Sequence, residues 1–172
     1  NPVAFMEALN ARVRALAKAH DLLTENSWEG ALLKDVIGRT LEPYARDTAG
    51  GRRIEIAGPP LRLNSETAVA MNMAFHELVT NAAKYGALST PGGAVSVTWD
   101  VDASSDPALI RIEWREMGGP AVQPPTRRGF GSHVMEGGLA QDLEGEVKMD
   151  FQPDGLDCRM RYVVSQRMRA PA

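Results

Sequence analysis

The sequence predicts an α+β domain of two layers, with helices on one face of a mixed sheet. Three observations carry this. Stretches of helical period (31–46 and 65–85) share the chain with stretches of alternating period (94–101, 109–115, 145–151 and 156–164). They do not follow a strict strand–helix–strand alternation, which points away from a parallel doubly wound sheet. The helix over 65–85 also has two faces: Met71, Phe75, Leu78 and Ala82 form an apolar one fit to lie on a sheet.

The elements follow in order. Asn1 is a suitable N-cap and Pro2 a suitable first helical residue. Met6, Leu9, Val13, Leu16, His20 and Leu23 then step by threes and fours. This narrow seam is the pattern by which one helix pairs with another. A second helix over 31–46 carries Leu32, Leu33, Val36, Ile37, Leu41 and Tyr44, and Gly50-Gly51 breaks the chain after it. Ile54 and Ile56 alternate with polar residues as in a strand, and Gly58-Pro59-Pro60 interrupts again. Ser65 caps the long helix, which runs to about Tyr85. The strands 94–101 and 109–115 are separated by a polar loop with Pro107. Residues 117–131 hold four Gly and three Pro without periodicity, a long loop of the kind that carries function. A helix from about Ser132 to Leu143 follows, and Pro153-Asp154-Gly155 is the turn between the last two strands.

Composition bounds the function. The 172 residues suffice for one medium domain with an attached element. A hydrophobic fraction of 44% and a charged fraction of 24% are those of an ordinary globular protein. The net charge of −3 argues against a nucleic-acid partner. No apolar run nears the roughly 18–20 residues that span a bilayer, and no secretory leader is visible, so a cytoplasmic location without membrane contact is expected. The lone Cys158 cannot form an internal disulfide and reads as a small buried hydrophobe. The chain begins Asn1-Pro2 rather than with methionine, as a fragment of a longer protein does.

The long helix also carries chemistry. At about 100° per residue, Glu77, Asn81 and Lys84 share its polar face. An amide oxygen suits Mg²⁺, an ammonium suits phosphate, and a carboxylate can orient a nucleophile or take its proton. The plain alternative is a solvated helix face.

The string His76-Glu77-Leu78-x-Thr80-Asn81-Ala82-Ala83-Lys84-Tyr85-Gly86-Ala87-Leu88 resembles the N-box of the HWE histidine kinases, a family of the GHKL superfamily. Trp114-Arg115-Glu116, followed by Gly118-Gly119-Pro120, resembles that family's Trp-x-Glu pair and first glycine box. Gly129-Phe130-Gly131 resembles the second glycine box at the end of the ATP lid. Residues 5–33 resemble the second helix of the family's dimerisation and phosphotransfer region and its exit. The resemblance thus covers nearly the whole chain and divides it: 1–30, an incomplete phosphotransfer region, and 31–172, a catalytic ATP-binding domain of the GHKL (Bergerat) fold.

It implies a two-component protein-histidine kinase using ATP and Mg²⁺. Asn81 would ligate Mg²⁺, Glu77 would take the acid/base position, and Lys84 would meet phosphate. Glu116 would accept a hydrogen bond from the adenine amine, directly or through water. Gly118 would let backbone approach the base, and Gly129 and Gly131 would lead into a phosphate-binding helix N-terminus. Trp114 is either core packing or also a wall of the adenine pocket; Trp28 reads as core packing. His76 serves either as a satisfied structural histidine or as a nucleotide contact. His133, Arg127 and Arg128 are either surface groups or phosphate contacts. The family's acceptor histidine lies in a His-Arg-x-x-Asn context on an earlier helix. His20 is followed by Asp21-Leu22-Leu23, so the acceptor is expected to be missing here. Implied partners are a response regulator, an upstream phosphoacceptor helix and sensor domain of the same protein, and a second copy through the helical seam. The alternatives are a non-catalytic GHKL nucleotide-binding module and a serine-directed kinase of the anti-sigma type.

Overall fold

The computed structural model describes residues 13, 31–46, 50–121, 145–163 and 168–169. In chain order these form β1 (Ala31–Leu32), α1 (Leu33–Leu41), a 3₁₀ turn (Glu42–Tyr44), β2 (Ile54–Ala57), β3 (Arg62–Leu63), α2 (Ser65–Lys84), a second 3₁₀ turn (Ala87–Ser89), β4 (Ala94–Asp102), β5 (Leu109–Met117), β6 (Gly145–Gln152), β7 (Gly155–Val163) and β8 (Met168–Arg169). The main sheet has the order β2-β4-β5-β7-β6. The β2–β4 pair is parallel and the rest are antiparallel, so the sheet is mixed as expected.

One layer of apolar side chains joins the helices to the sheet. Val36, Ile37 and Leu41 of α1 and Met71, Phe75, Leu78 and Ala82 of α2 share a core cluster with Val95, Val97, Ile110, Ile112, Trp114, Cys158 and Met160. Every second residue of β4, β5 and β7 points into this layer, as strand pleating requires. The buried Cys158 and the apolar face of α2 match the sequence expectation. The opposite face of the sheet is charged, with Arg111 against Asp100 and Asp102, and Arg159 against Glu113, Asp150 and Asp157. A depression of about 470 Å³ on that face is lined by Arg111, Glu113, Arg159 and Arg161. A pair exposed on both sides, such as Arg111–Asp100, contributes little to stability.

Several boundaries differ from the sequence reading. The stretch 31–46 is not helical throughout: Ala31 and Leu32 pair with Leu63 and Arg62, and α1 stops at Leu41. Pro43 sits in the tight turn after it and has no N–H to continue the ladder. The cap of α2 is Asn64, whose side chain accepts from the Thr67 N–H at 2.9 Å, and Ser65 is the first helical residue. The short sheet β1-β3-β8 was not anticipated, because two-residue strands have no readable period. The two helices are tied by a polar contact inside the core, Thr40 Oγ1 lying 2.7 Å from both Asn72 Oδ1 and the Val36 carbonyl. Of the expected first helix only Val13 is described; it is helical and exposed. The expected helix 132–143 lies outside the described residues. Among the described residues no helix is long and apolar enough to cross a membrane.

Candidate functional site

The polar stripe of α2 stands as the period predicts. Asn81 and Lys84 are exposed and Glu77 half-buried, while Leu78, Val79 and Ala82 on the other side are buried. Lys84 lies seven positions after Glu77, so the stripe runs roughly 10 Å along the helix axis. His76 is half-buried, and its carbonyl accepts from the Thr80 hydroxyl at 2.6 Å. The helix ends where Tyr85 and Gly86 turn their N–H groups back onto the Asn81 carbonyl, at 2.8 and 3.1 Å. Tyr85 is 71% exposed, the one exposed aromatic ring among the described residues, and it directly follows Lys84.

Glu116 meets that same helix end. It lies on β5 and points into the interior, with only 5% of its surface exposed. Its Oε2 accepts from the Ala87 N–H at 2.9 Å and its Oε1 from the Trp114 indole N–H at 3.2 Å. Trp114 and Glu116 are two residues apart on one strand and therefore share a face. Trp114 is fully buried in the core, so the indole braces the carboxylate from below. Burial pushes the Glu116 carboxyl above its ordinary value; the bonds from Ala87 and Trp114 offset part of that rise.

Glycines make the room. A Cβ on Gly86 would lie 2.0 Å from Glu116 Oε2, and one on Gly155 would lie 2.5 Å from the Glu116 carbonyl oxygen. A Cβ on Gly119 would lie 2.6 Å from the Ala87 Cα. Gly118, at φ +67°, takes the left-handed backbone that ends β5. The loop after α2 is further held by Arg53, whose guanidinium donates to the carbonyls of Gly93 (2.9 Å), Ala87 (3.2 Å) and Thr90 (2.7 Å).

The fold thus brings Glu116 and Trp114 to the C-terminal end of the helix that carries Glu77, Asn81 and Lys84. Gly129, Gly131, His133, Arg127, Arg128, His20 and Trp28 lie outside the described residues. Sequence reasoning missed the Trp114–Glu116 bond, although the two-residue strand period contained it. It also missed Arg53, for which an Arg after Gly-Gly gave no signal. Ala87 lies within the N-box string, but its contribution is a backbone N–H that no side-chain pattern marks.

The described residues thus form a mixed sheet under two helices, with a buried carboxylate at the end of a polar helix stripe. Solved structures agree on the fold. The histidine kinase domain of the blue-light activated histidine kinase of Erythrobacter litoralis superposes with a TM-score of 0.68, covering 92% of this chain and 76% of that one at 19% identity. The catalytic domain of the histidine kinase ThkA superposes with a TM-score of 0.54, covering 77% and 93% at 13% identity. The profile of the HWE histidine kinase family matches residues 1–60. A blue-light-activated histidine kinase of Brucella anthropi is 37% identical over 156 residues, covering 91% of this chain. The chain belongs to the HWE histidine kinase family. It spans 31% of the length of that Brucella relative.

Proposed function

We propose that this chain is the ATP-binding catalytic part of a protein-histidine kinase in a two-component system. The observation that carries the proposal is the Glu116 carboxylate, held by Ala87 and Trp114 at the end of the helix bearing Asn81 and Lys84. A carboxylate is acceptor-only when ionised, with about four lone-pair directions, and two of Glu116's are in use. The others fit the exocyclic amine of adenine, or a water between them. The phosphates then lie along the stripe, where the exposed Lys84 ammonium meets them. Asn81 would hold Mg²⁺ through its amide oxygen, and the ion would supply positive charge to the phosphates.

The reaction is attack of a neutral imidazole nitrogen on the γ-phosphorus. A P–N bond forms, the bond to the β,γ-bridging oxygen breaks, and ADP leaves. Glu77 orients the imidazole and accepts the proton from its second nitrogen. The phosphoryl group then passes to an aspartate of a response regulator. Residues 1–30 act as the second helix of the phosphotransfer region, and the acceptor histidine comes from an upstream helix of the same protein. Gly129 and Gly131, which lie outside the described residues, would lead into a phosphate-binding helix N-terminus, as the family resemblance implies. A cytoplasmic setting and pairing of two copies through the first helix complete the reading.

Calorimetric titration of the chain with ATP and ADP, with and without Mg²⁺, tests this. Binding should be Mg²⁺-dependent, and Asn81→Ala should remove most of that dependence while leaving Mg²⁺-free binding near wild type. No heat at millimolar nucleotide would refute the proposal.

A further inference from the structure

The Arg53 side chain stands outside every motif. Its backbone is fixed at both ends, its N–H donating to the Ala45 carbonyl at 2.9 Å and its carbonyl accepting from the Val95 N–H at 2.9 Å. From this anchored position at the start of β2 the guanidinium collects three carbonyls of one seven-residue segment, Ala87, Thr90 and Gly93. Ala87 is the link. Its carbonyl accepts from Arg53 and its N–H donates to Glu116 Oε2. The residue is walled in by two glycines, since a Cβ on Gly93 would lie 1.8 Å from the Ala87 oxygen and one on Gly119 would overlap its Cα. A planar fork that donates along several directions holds such a loop in one geometry, which a single-point ammonium does not do.

We propose that Arg53 is a positioning residue for base recognition: it locks the Ala87–Gly93 segment so that the Ala87 N–H sets the Glu116 carboxylate. This rests on the reading of Glu116 as the group that meets adenine. The lock acts mechanically. The Arg53 guanidinium bonds the loop, and its reach to Glu116 runs through one residue, Ala87, whose carbonyl and N–H belong to adjacent peptide groups.

The test uses wild type, Arg53→Lys, Glu116→Gln and the double variant, with two readouts. Hydrogen exchange at the Ala87 amide in nucleotide-free protein reports the lock alone. Titrations with ATP and GTP report its consequence. Arg53→Lys should speed Ala87 exchange by about tenfold or more, while the amides of Val97 and Ile112 in the sheet keep wild-type protection. It should lower the ATP-to-GTP affinity ratio by at least about fivefold, the scale of one misplaced buried hydrogen bond. In the Glu116→Gln background it should change the ratio no further. Should the lysine variant lose amide dispersion as a whole, Arg53→Gln, which keeps a hydrogen-bonding head, replaces it. Wild-type exchange at Ala87 overturns the proposal, and so does a ratio shift that persists unchanged in the Glu116→Gln background. If Glu116→Gln alone leaves the ratio intact, the reading of Glu116 fails and base positioning by Arg53 falls with it, whatever Ala87 exchange shows.

Discussion

Gly86→Ala isolates the contact between the helix end and the carboxylate. The backbone there is extended (φ −108°, ψ −152°), so alanine adds no backbone strain and acts only through its methyl group. That methyl would stand 2.0 Å from Glu116 Oε2 and 3.0 Å from the Ala82 Cα. To regain van der Waals separation the carboxylate must retreat by roughly 1.5 Å. The 2.9 Å bond from Ala87 does not survive such a shift. A buried N–H left unpaired costs about 1–3 kcal/mol, and overpacking adds about 1–3 kcal/mol. Reduced unfolded-state entropy returns about 0.4–1 kcal/mol. The net expectation is about 3 kcal/mol, a fall in Tm of roughly 6–12 °C for a domain of this size. Gly38→Ala is the control: nothing lies within 4 Å of its added methyl, so helix α1 should be unchanged or slightly stabilised. If Glu116 reads the base, Gly86→Ala should also reduce the ATP-to-GTP affinity ratio by about 5- to 150-fold. Scanning calorimetry and nucleotide titration check both. A Gly86→Ala protein with wild-type Tm and wild-type base preference would refute the contact and the function built on it.

Three further outcomes follow from the site and the sequence. Burial raises the Glu116 pKa, so in the window between its ordinary and raised values the folded state holds the extra proton and stability falls as pH rises, then stays flat above it. Glu116→Gln should remove that step from urea midpoints measured from about pH 4 upward. ATP affinity should move the other way, falling as pH drops into the same window, because only the ionised carboxylate accepts from the amine. The sequence contains no His-Arg-x-x-Asn string, so the chain incubated with ATP should gain no acid-labile phosphate until a fragment bearing that string is supplied. Labelling of the chain alone that His20→Ala abolishes would reverse the assignment of the first helix.

Most of the fold was legible because its elements are long relative to their periods. Strand β5 buries every second residue over nine positions, and α2 buries one face over twenty, so tertiary context had little freedom to change either. Legibility failed where an element is too short for a period to repeat. Ala31–Leu32 looked helical because apolar neighbours fit either period, and only pairing with Leu63 and Arg62 decides the matter. The same limit applied to the site. The stripe Glu77, Asn81 and Lys84 could be placed on one face from spacing alone. The groups that set Glu116 could not, because two are backbone or glycine: the Ala87 N–H and the space left by Gly86. Arg53 reaches the loop from 34 residues away in sequence, and no local pattern encodes a contact of that separation.

The pairing of Trp114 with Glu116 has a physical rationale on this reading. Glutamate carries one more rotatable bond than aspartate, so a free glutamate would arrive at a base with its carboxylate spread over several rotamers and would lose that freedom on binding. Two donors of different origin remove it beforehand. The indole N–H comes from the neighbouring position on the same strand face, where strand geometry puts it without any loop. The Ala87 N–H comes from the turn that follows the helix bearing Asn81 and Lys84. Each donor fixes one carboxylate oxygen, and together they fix the plane of the group. The orientation of the base-reading group is thereby tied to the helix end that carries Asn81 and Lys84. If Glu116 reads the base, a shift of that helix end would carry the Ala87 donor with Asn81 and Lys84.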